Sequence, residues 1–228
     1  MTTKVLLSWS SGKDSAWALH VLRQDPTVEV VGLLTSVNES AERVAMHGVR
    51  ERLLERQAQA VGLPLDVVRL PPGCSNDVYE ARMRPAFEAA VERGVEAVAF
   101  GDLWLEDVRA YRVAQLAEFA LEPRFPIWGL DTRALAREMV AAGVRAWLTC
   151  VDPGQIPASW AGRAFDADLL DDFEALAERE GRVVDPCAEQ GEFHSFAVDG
   201  PAFAHPVEVE PGEIVERDGF VFADLVPR

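Results

Sequence analysis

Residues 4–22, K-V-L-L-S-W-S-S-G-K-D-S-A-W-A-L-H-V-L, decide the fold. The apolar run Val5 to Leu7 reads as a strand, Ser10 to Ser15 (S-S-G-K-D-S) as a turn of small residues carrying one lysine, and Ala16 to Leu22 as the start of a helix. A strand, a small-residue turn and a helix start, in that order, build a site for a polyphosphate: backbone N–H groups of the turn and first helical turn face outward without intrahelical partners and can bond phosphate oxygens. Lys13 adds a point charge. The plainer alternative is a capped helix start, with Asp14 and Ser15 serving only as first-turn residues. Lys4 and Lys13 are the only lysines in a chain whose other basic side chains are all arginine, which singles out position 13. The turn is not a Walker A loop, since Leu7 stands where that pattern needs glycine and Asp14 where it needs a hydroxyl to hold magnesium.

Outward from this turn, short β-branched runs alternate with helical patterns, the signature of a parallel sheet covered on both faces. Strands are predicted over residues 4–8, 29–35, 65–70, 97–101 and 146–150, and helices over 14–24, 49–61, 77–93, 107–121 and 132–142. Asp131 is placed to cap the last of these helices, Leu135 and Met139 to share one face, and Gly143 to end it. Beyond Cys150 the rhythm changes: a Pro- and Gly-rich stretch to residue 162, a helix over 169–180, a loop over 185–195, then alternating patterns with Gly200, Gly212 and Gly219 that suggest hairpins. The expected organisation is an α/β domain over residues 1–150 and a smaller α+β part over 151–228.

At 228 residues, with 49% hydrophobic and 26% charged side chains, the chain can bury one large core with an appendage. A formal charge of -16 repels phosphate backbones and anionic lipid, so nucleic acid is disfavoured as a partner and a membrane is not expected. Cys74, Cys150 and Cys187 lie far apart with no metal-ligand spacing, and read as small buried hydrophobes. The start of the chain has no signal-peptide pattern and no apolar run approaches membrane-spanning length, so a cytoplasmic protein is expected.

In open parallel sheets the ligand lies beyond the carboxyl ends of the strands, where strand order reverses. That rule gathers the loops over 8–15, 35–48, 101–107 and 150–154 around one crevice. Asp102, with Glu106 and Asp107 nearby, either holds magnesium on a polyphosphate there or caps the following helix. His47 is either a capping residue or a substrate-side group. The segment Cys187-Ala-Glu-Gln-Gly-Glu-Phe-His-Ser195 sets Glu189, Glu192 and His194 around Gly191 in one loop, where carboxylates can bind ammonium or accept its proton and His194 can shuttle protons near neutral pH.

S-S-G-K-D-S resembles the PP-loop, usually S-G-G-K-D-S, of the N-type ATP pyrophosphatases. With G-E-F-H-S at residues 191–195, Phe100-Gly-Asp-Leu, Pro126-Ile-Trp-Gly129 and H-G-V-R from His47, the chain resembles the bacterial branch of the diphthine–ammonia ligase family over nearly its whole length. The resemblance implies a five-stranded parallel sheet of the adenine nucleotide α-hydrolase-like (HUP) type. It also implies ATP with magnesium, cleavage between the α- and β-phosphates, and an acyl-adenylate that ammonia converts to an amide. Ser10, Ser11, Gly12, Lys13, Asp14 and Ser15 would cradle the phosphates, Thr35 would lie near the adenosine, and Asp102 would face phosphate or metal. Glu189, Glu192 and His194 would line the acceptor or ammonia side. The implied partners are ATP, ammonium and a carboxylate acceptor, small or protein-borne, with a homodimer left open; a tRNA-modifying enzyme and a non-catalytic ATP sensor are the alternatives. Two positions depart from the family pattern. Ser11 and Ala188 stand where glycine is expected, and a positive φ at Ser11 would strain the turn.

Overall fold

The computed structural model describes residues 2–39, 43–44 and 48–228, so His47 lies outside the described residues. In chain order the elements are β1 (Thr3–Ser8), α1 (Lys13–Gln24), β2 (Val28–Asn38), β3 (Arg43–Val44), α2 (Glu51–Val61), β4 (Leu65–Leu70), α3 (Asn76–Glu92), β5 (Ala97–Ala99), α4 (Glu106–Ala117) and β6 (Glu122–Arg124). They continue as α5 (Thr132–Ala141), β7 (Arg145–Val151), β8 (Ala164–Phe165), α6 (Ala167–Glu180), β9 (Phe193–Asp199), β10 (Val209–Arg217) and β11 (Phe220–Pro227). Val5 and Leu7 enter one apolar core and Leu6 the other, the pattern of a strand buried on both faces. β1 accordingly lies inside a five-stranded parallel sheet in the order β4-β2-β1-β5-β6, with β3 added antiparallel to the end of β2.

A second sheet is antiparallel throughout. β7 runs through its middle, flanked by β9, β11 and β8, and β10 closes the edge as a hairpin with β11. Asp218 (φ 55) and Gly219 (φ 82) turn that hairpin with both residues left-handed, as a two-residue turn between twisted strands requires. The larger core joins the sheets: Leu7, Trp17 and Leu53 share it with Leu148, Phe165, Phe193 and Phe196. The other face of the parallel sheet packs Leu6, Leu34 and Val98 on α3 and α4 through Phe87 and Leu116.

Two strand expectations are corrected. Residues 145–151 do not form the fifth parallel strand but the middle of the second sheet, paired along one flank with Phe193–Asp199. The fifth parallel strand is Glu122–Arg124, a three-residue edge strand whose Pro123 needs no further partner on its outer side. The predicted caps hold: the Asp131 carboxylate accepts the Ala134 N–H at 2.8 Å, and Leu135 and Met139 are buried together.

Candidate active site

Strand order reverses between β1 and β5, and the chain beyond their carboxyl ends lines a cavity of about 400 Å³. From the turn after β1 it receives Ser10, Lys13, Asp14 and Ser15; from the turn after β5, Gly101 and Asp102; from α4, Arg112. The third wall is the segment Cys187, Ala188, Glu189, Gly191, Phe193, His194 and Ser195. Among the described residues, none from the expected loops over 35–48 and 150–154 lines the cavity. β2 runs on through Thr35, whose side chain is buried within the strand, and residues 152–154 follow a strand of the other sheet.

The phosphate-type turn is shaped by hydrogen bonds from both sheets. Within it, Ser10 Oγ donates to Ser15 Oγ (3.2 Å) and Ser15 Oγ to the Gly12 carbonyl (3.0 Å). Gly12 offers no side-chain cap to α1; Ser195 supplies one from β9, its Oγ accepting the Lys13 N–H at 3.2 Å. The fully buried Gln57 of α2 takes the Trp9 indole N–H on its oxygen (2.9 Å) and donates to the carbonyls of Ser11 (3.0 Å) and Ala197 (2.6 Å). Ser11 is left-handed at φ 71, and its hydroxyl is buried with no hydrogen-bond partner among the described residues. Ala188 is left-handed too, at φ 63. Both departures from the expected glycine therefore fall where glycine is the comfortable residue.

Lys13 is 1% exposed. Its ammonium donates to both carboxylate oxygens of Asp14 (3.0 and 2.9 Å) and to the Cys187 carbonyl (2.9 Å), between the rings of Phe165 and Phe193, whose centroids lie 5.4 and 5.1 Å away. Burial is the largest single influence and acts against its charge, but Asp14, through its charge and its hydrogen bond, together with Cys187 and Asp185, outweighs it, so Lys13 stays protonated with a raised pKa. Glu189 joins two walls: its Oε2 accepts the N–H groups of Leu103 (3.3 Å) and Trp104 (3.0 Å), and burial pushes its pKa up. Burial, with the Lys13 charge behind it, takes His194 from the ordinary 6.5 down to about 4, so its ring is neutral across the physiological range. That removes the expected proton shuttle near pH 7.

Glu192 does not line the cavity. It is buried, and its two oxygens accept the N–H groups of Asp185 (2.9 Å) and Gln190 (3.0 Å), folding the segment on itself. Asp102 does reach the cavity, and burial raises its pKa against the opposing charge of Arg112, whose Nε stands 3.6 Å from Asp102 Oδ2. Arg112, Gln57 and Phe165 went unread in the sequence, and Phe193 and Ser195 were noticed within their segment without a role of their own. For Gln57 a signal existed: it occupies the apolar stripe Leu53, Leu54, Gln57, Ala58, Val61 of an amphipathic helix, where a polar residue needs a buried partner.

A doubly covered parallel sheet with a lysine-bearing small-residue turn at its switch point defines a PP-loop α/β protein. Residues 3–118 match the model of the diphthamide synthase N-terminal domain and residues 131–223 that of the diphthamide synthase C-terminal domain. The chain belongs to the diphthamide synthase family. Among curated relatives, the diphthine–ammonia ligase of Danio rerio is 31% identical over 233 residues, covering 95% of this chain and 90% of the relative. That of Homo sapiens is 25% identical over 234 residues, covering 95% and 86%. Among solved structures, the U34-tRNA thiolase NcsA of Methanococcus maripaludis aligns over 83% of this chain and 70% of its own, with 14% identity and a TM-score of 0.39. Likeness at that level says nothing about substrate. No described helix is long and apolar enough to cross a membrane.

Proposed function

We propose that this chain is an ATP-dependent ligase that forms an amide from a carboxylate and ammonia; its curated relatives are named as ligases of diphthine and ammonia. The carboxylate oxygen attacks the α-phosphorus, the bond to the β-phosphate oxygen breaks, and pyrophosphate leaves. Ammonia nitrogen then attacks the acyl carbon, AMP departs, and the nitrogen gives up its extra proton. The observation that carries this reading is the meeting, around Lys13 in one cavity, of a phosphate-type helix start with the acidic segment of residues 187–195.

In this reading the turn Ser10, Ser11 and Gly12 shapes the phosphate cradle, the backbone N–H groups of Asp14 and Ser15 in the first turn of α1 meet the phosphates, and Lys13 holds charge against them. Magnesium, when bound, would neutralise phosphate charge; Asp102 fits it, because Oδ2 is buried without a hydrogen-bond partner among the described residues and a phosphate-bound magnesium needs only one or two protein carboxylates. Glu189 faces the acceptor side and, with its raised pKa, is suited to take the proton that ammonia releases. Neutral His194 contributes hydrogen bonds, and Glu192 shapes the segment that carries both. Transfer of sulfur to RNA is not favoured: burial pushes the Cys150 thiol up to about 11 and the Cys187 thiol higher still, and the charge of -16 opposes RNA. Incubation with ATP, magnesium, ammonium and a panel of carboxylic acids, scored for nucleotide products, tests the proposal. Acid-dependent AMP and pyrophosphate are expected; ADP and phosphate would overturn it.

A further inference from the structure

The cavity lining holds two permanent cations, Lys13 and Arg112. Lys13 is already held by Asp14 and the Cys187 carbonyl. Arg112 is not so held. Its guanidinium lies over the Phe100 ring, 4.7 Å from the centroid, and its Nε stands 3.6 Å from Asp102 Oδ2, too far for a hydrogen bond. Both atoms are buried, and neither has a hydrogen-bond partner among the described residues. Each therefore carries a desolvation cost that a ligand can remove.

The position of the pair identifies the ligand group. Asp102 follows Gly101, and a Cβ built on Gly101 would lie 3.1 Å from the Asp14 carbonyl carbon and the Ser15 nitrogen. The pair thus stands beside the first turn of α1, whose outward N–H groups take phosphate oxygens. We propose that Arg112 grips the outer two phosphates of the nucleotide and retains the pyrophosphate as it departs, with Asp102 as the counter-ion that holds the guanidinium until nucleotide arrives. A planar fork suits two phosphate oxygens better than an ammonium does. Release of Arg112 to phosphate also frees Asp102 Oδ2 for the cation that accompanies the nucleotide. This inference rests on the ATP reading above.

The test is calorimetric titration of the full chain and two variants, Arg112→Met and Asp102→Asn, with MgATP, pyrophosphate and AMP. Arg112→Met keeps an apolar stem on Phe100, and it should weaken MgATP and pyrophosphate by about tenfold or more, the scale of a charge-assisted hydrogen bond. AMP affinity should change by less than about twofold on the same scale. Asp102→Asn, titrated with pyrophosphate without magnesium, should bind more tightly than wild type because the guanidinium loses its competitor. Unchanged pyrophosphate affinity in Arg112→Met, or AMP weakening in step with ATP, overturns the assignment. Should Arg112→Met fail to fold, by circular dichroism, the sign of the Asp102→Asn effect decides. Wild-type protein that binds no MgATP would defeat the underlying ATP reading; wild-type binding with indifferent variants would defeat the role of Arg112 alone.

Discussion

Gly101→Ala is the substitution through which the geometry of the cavity is most directly questioned. The added methyl would meet three backbone atoms of α1, the Asp14 carbon at 3.1 Å, the Ser15 nitrogen at 3.1 Å and the Asp14 oxygen at 3.2 Å. All three belong to main chain, so no side chain can swing aside; either α1 shifts by a few tenths of an ångström or β5 does. Overpacking of this kind costs about 1–3 kcal/mol. For a chain of this length each kcal/mol is worth roughly 2–4 °C, which places the fall in Tm at roughly 2–12 °C. The same shift displaces the donors of Asp14 and Ser15 from the phosphates, and MgATP affinity should fall by about tenfold or more, given the steep dependence of such sites on placement. Thermal melts and calorimetry measure the two effects. Gly32→Ala is the control: its Cβ would meet first the Leu6 Cδ1 at 3.2 Å, the flexible end of a side chain on the face away from the larger core, so a loss of stability without loss of nucleotide affinity is expected. A Gly101→Ala protein that melts within a degree of wild type and binds MgATP unchanged would refute the inference that the close approach of the turn after β5 fixes the start of α1.

Ser11→Gly removes a left-handed serine and an unpaired buried hydroxyl, against the greater freedom glycine gives the unfolded chain, and should raise stability by up to about 1 kcal/mol in urea titration; a loss of that size would show that the hydroxyl has a partner. Lys13→Met should cut AMP release by about a hundredfold, and Lys13→Arg should not restore it, because the space between Phe165 and Phe193 is built around an ammonium; an active Lys13→Arg enzyme would contradict this. His194 binds its proton near pH 4 when folded and near 6.5 when unfolded, so between those values the unfolded chain takes up a proton that the folded one refuses. Stability is therefore full above about pH 6.5 and drains as pH falls towards 4, by up to about 3 kcal/mol from this group. The difference between wild type and His194→Gln in urea midpoints at pH 7 and 4.5 isolates that contribution, and parallel pH profiles would dismiss it.

What could be read from sequence was what is local. The turn after β1 is contiguous, its lysine is one of only two, and its small residues speak for themselves. Strand β4 was placed to the residue because its apolar positions are bounded by Pro64 and by Pro71 and Pro72. β7 was recognised as a strand but assigned to the wrong sheet, since the middle strand of an antiparallel sheet, buried against neighbours on both flanks, has the same continuous apolar run as a parallel one. Glu122–Arg124 has three residues, one of them proline, too few for any period to appear. Arg112 was illegible for another reason: nothing in its own neighbourhood distinguishes it from other helix-surface arginines, and its meaning comes from Phe100 and Asp102 on a different element. The requirement for glycine-like backbone at Ser11 and Ala188 was readable as a family departure, while the left-handed φ that gives it force needed coordinates.

The bond from Lys13 N to Ser195 Oγ spans 182 positions, and Gln57 ties the same turn to Ala197. A ribosome adding about 5–20 residues each second delivers the first turn of α1 roughly 9–36 s before the serine that caps it. The cavity is therefore completed late in the growth of the polypeptide, and products that end short of β9 lack residues that cap α1 and form part of the cavity's third wall.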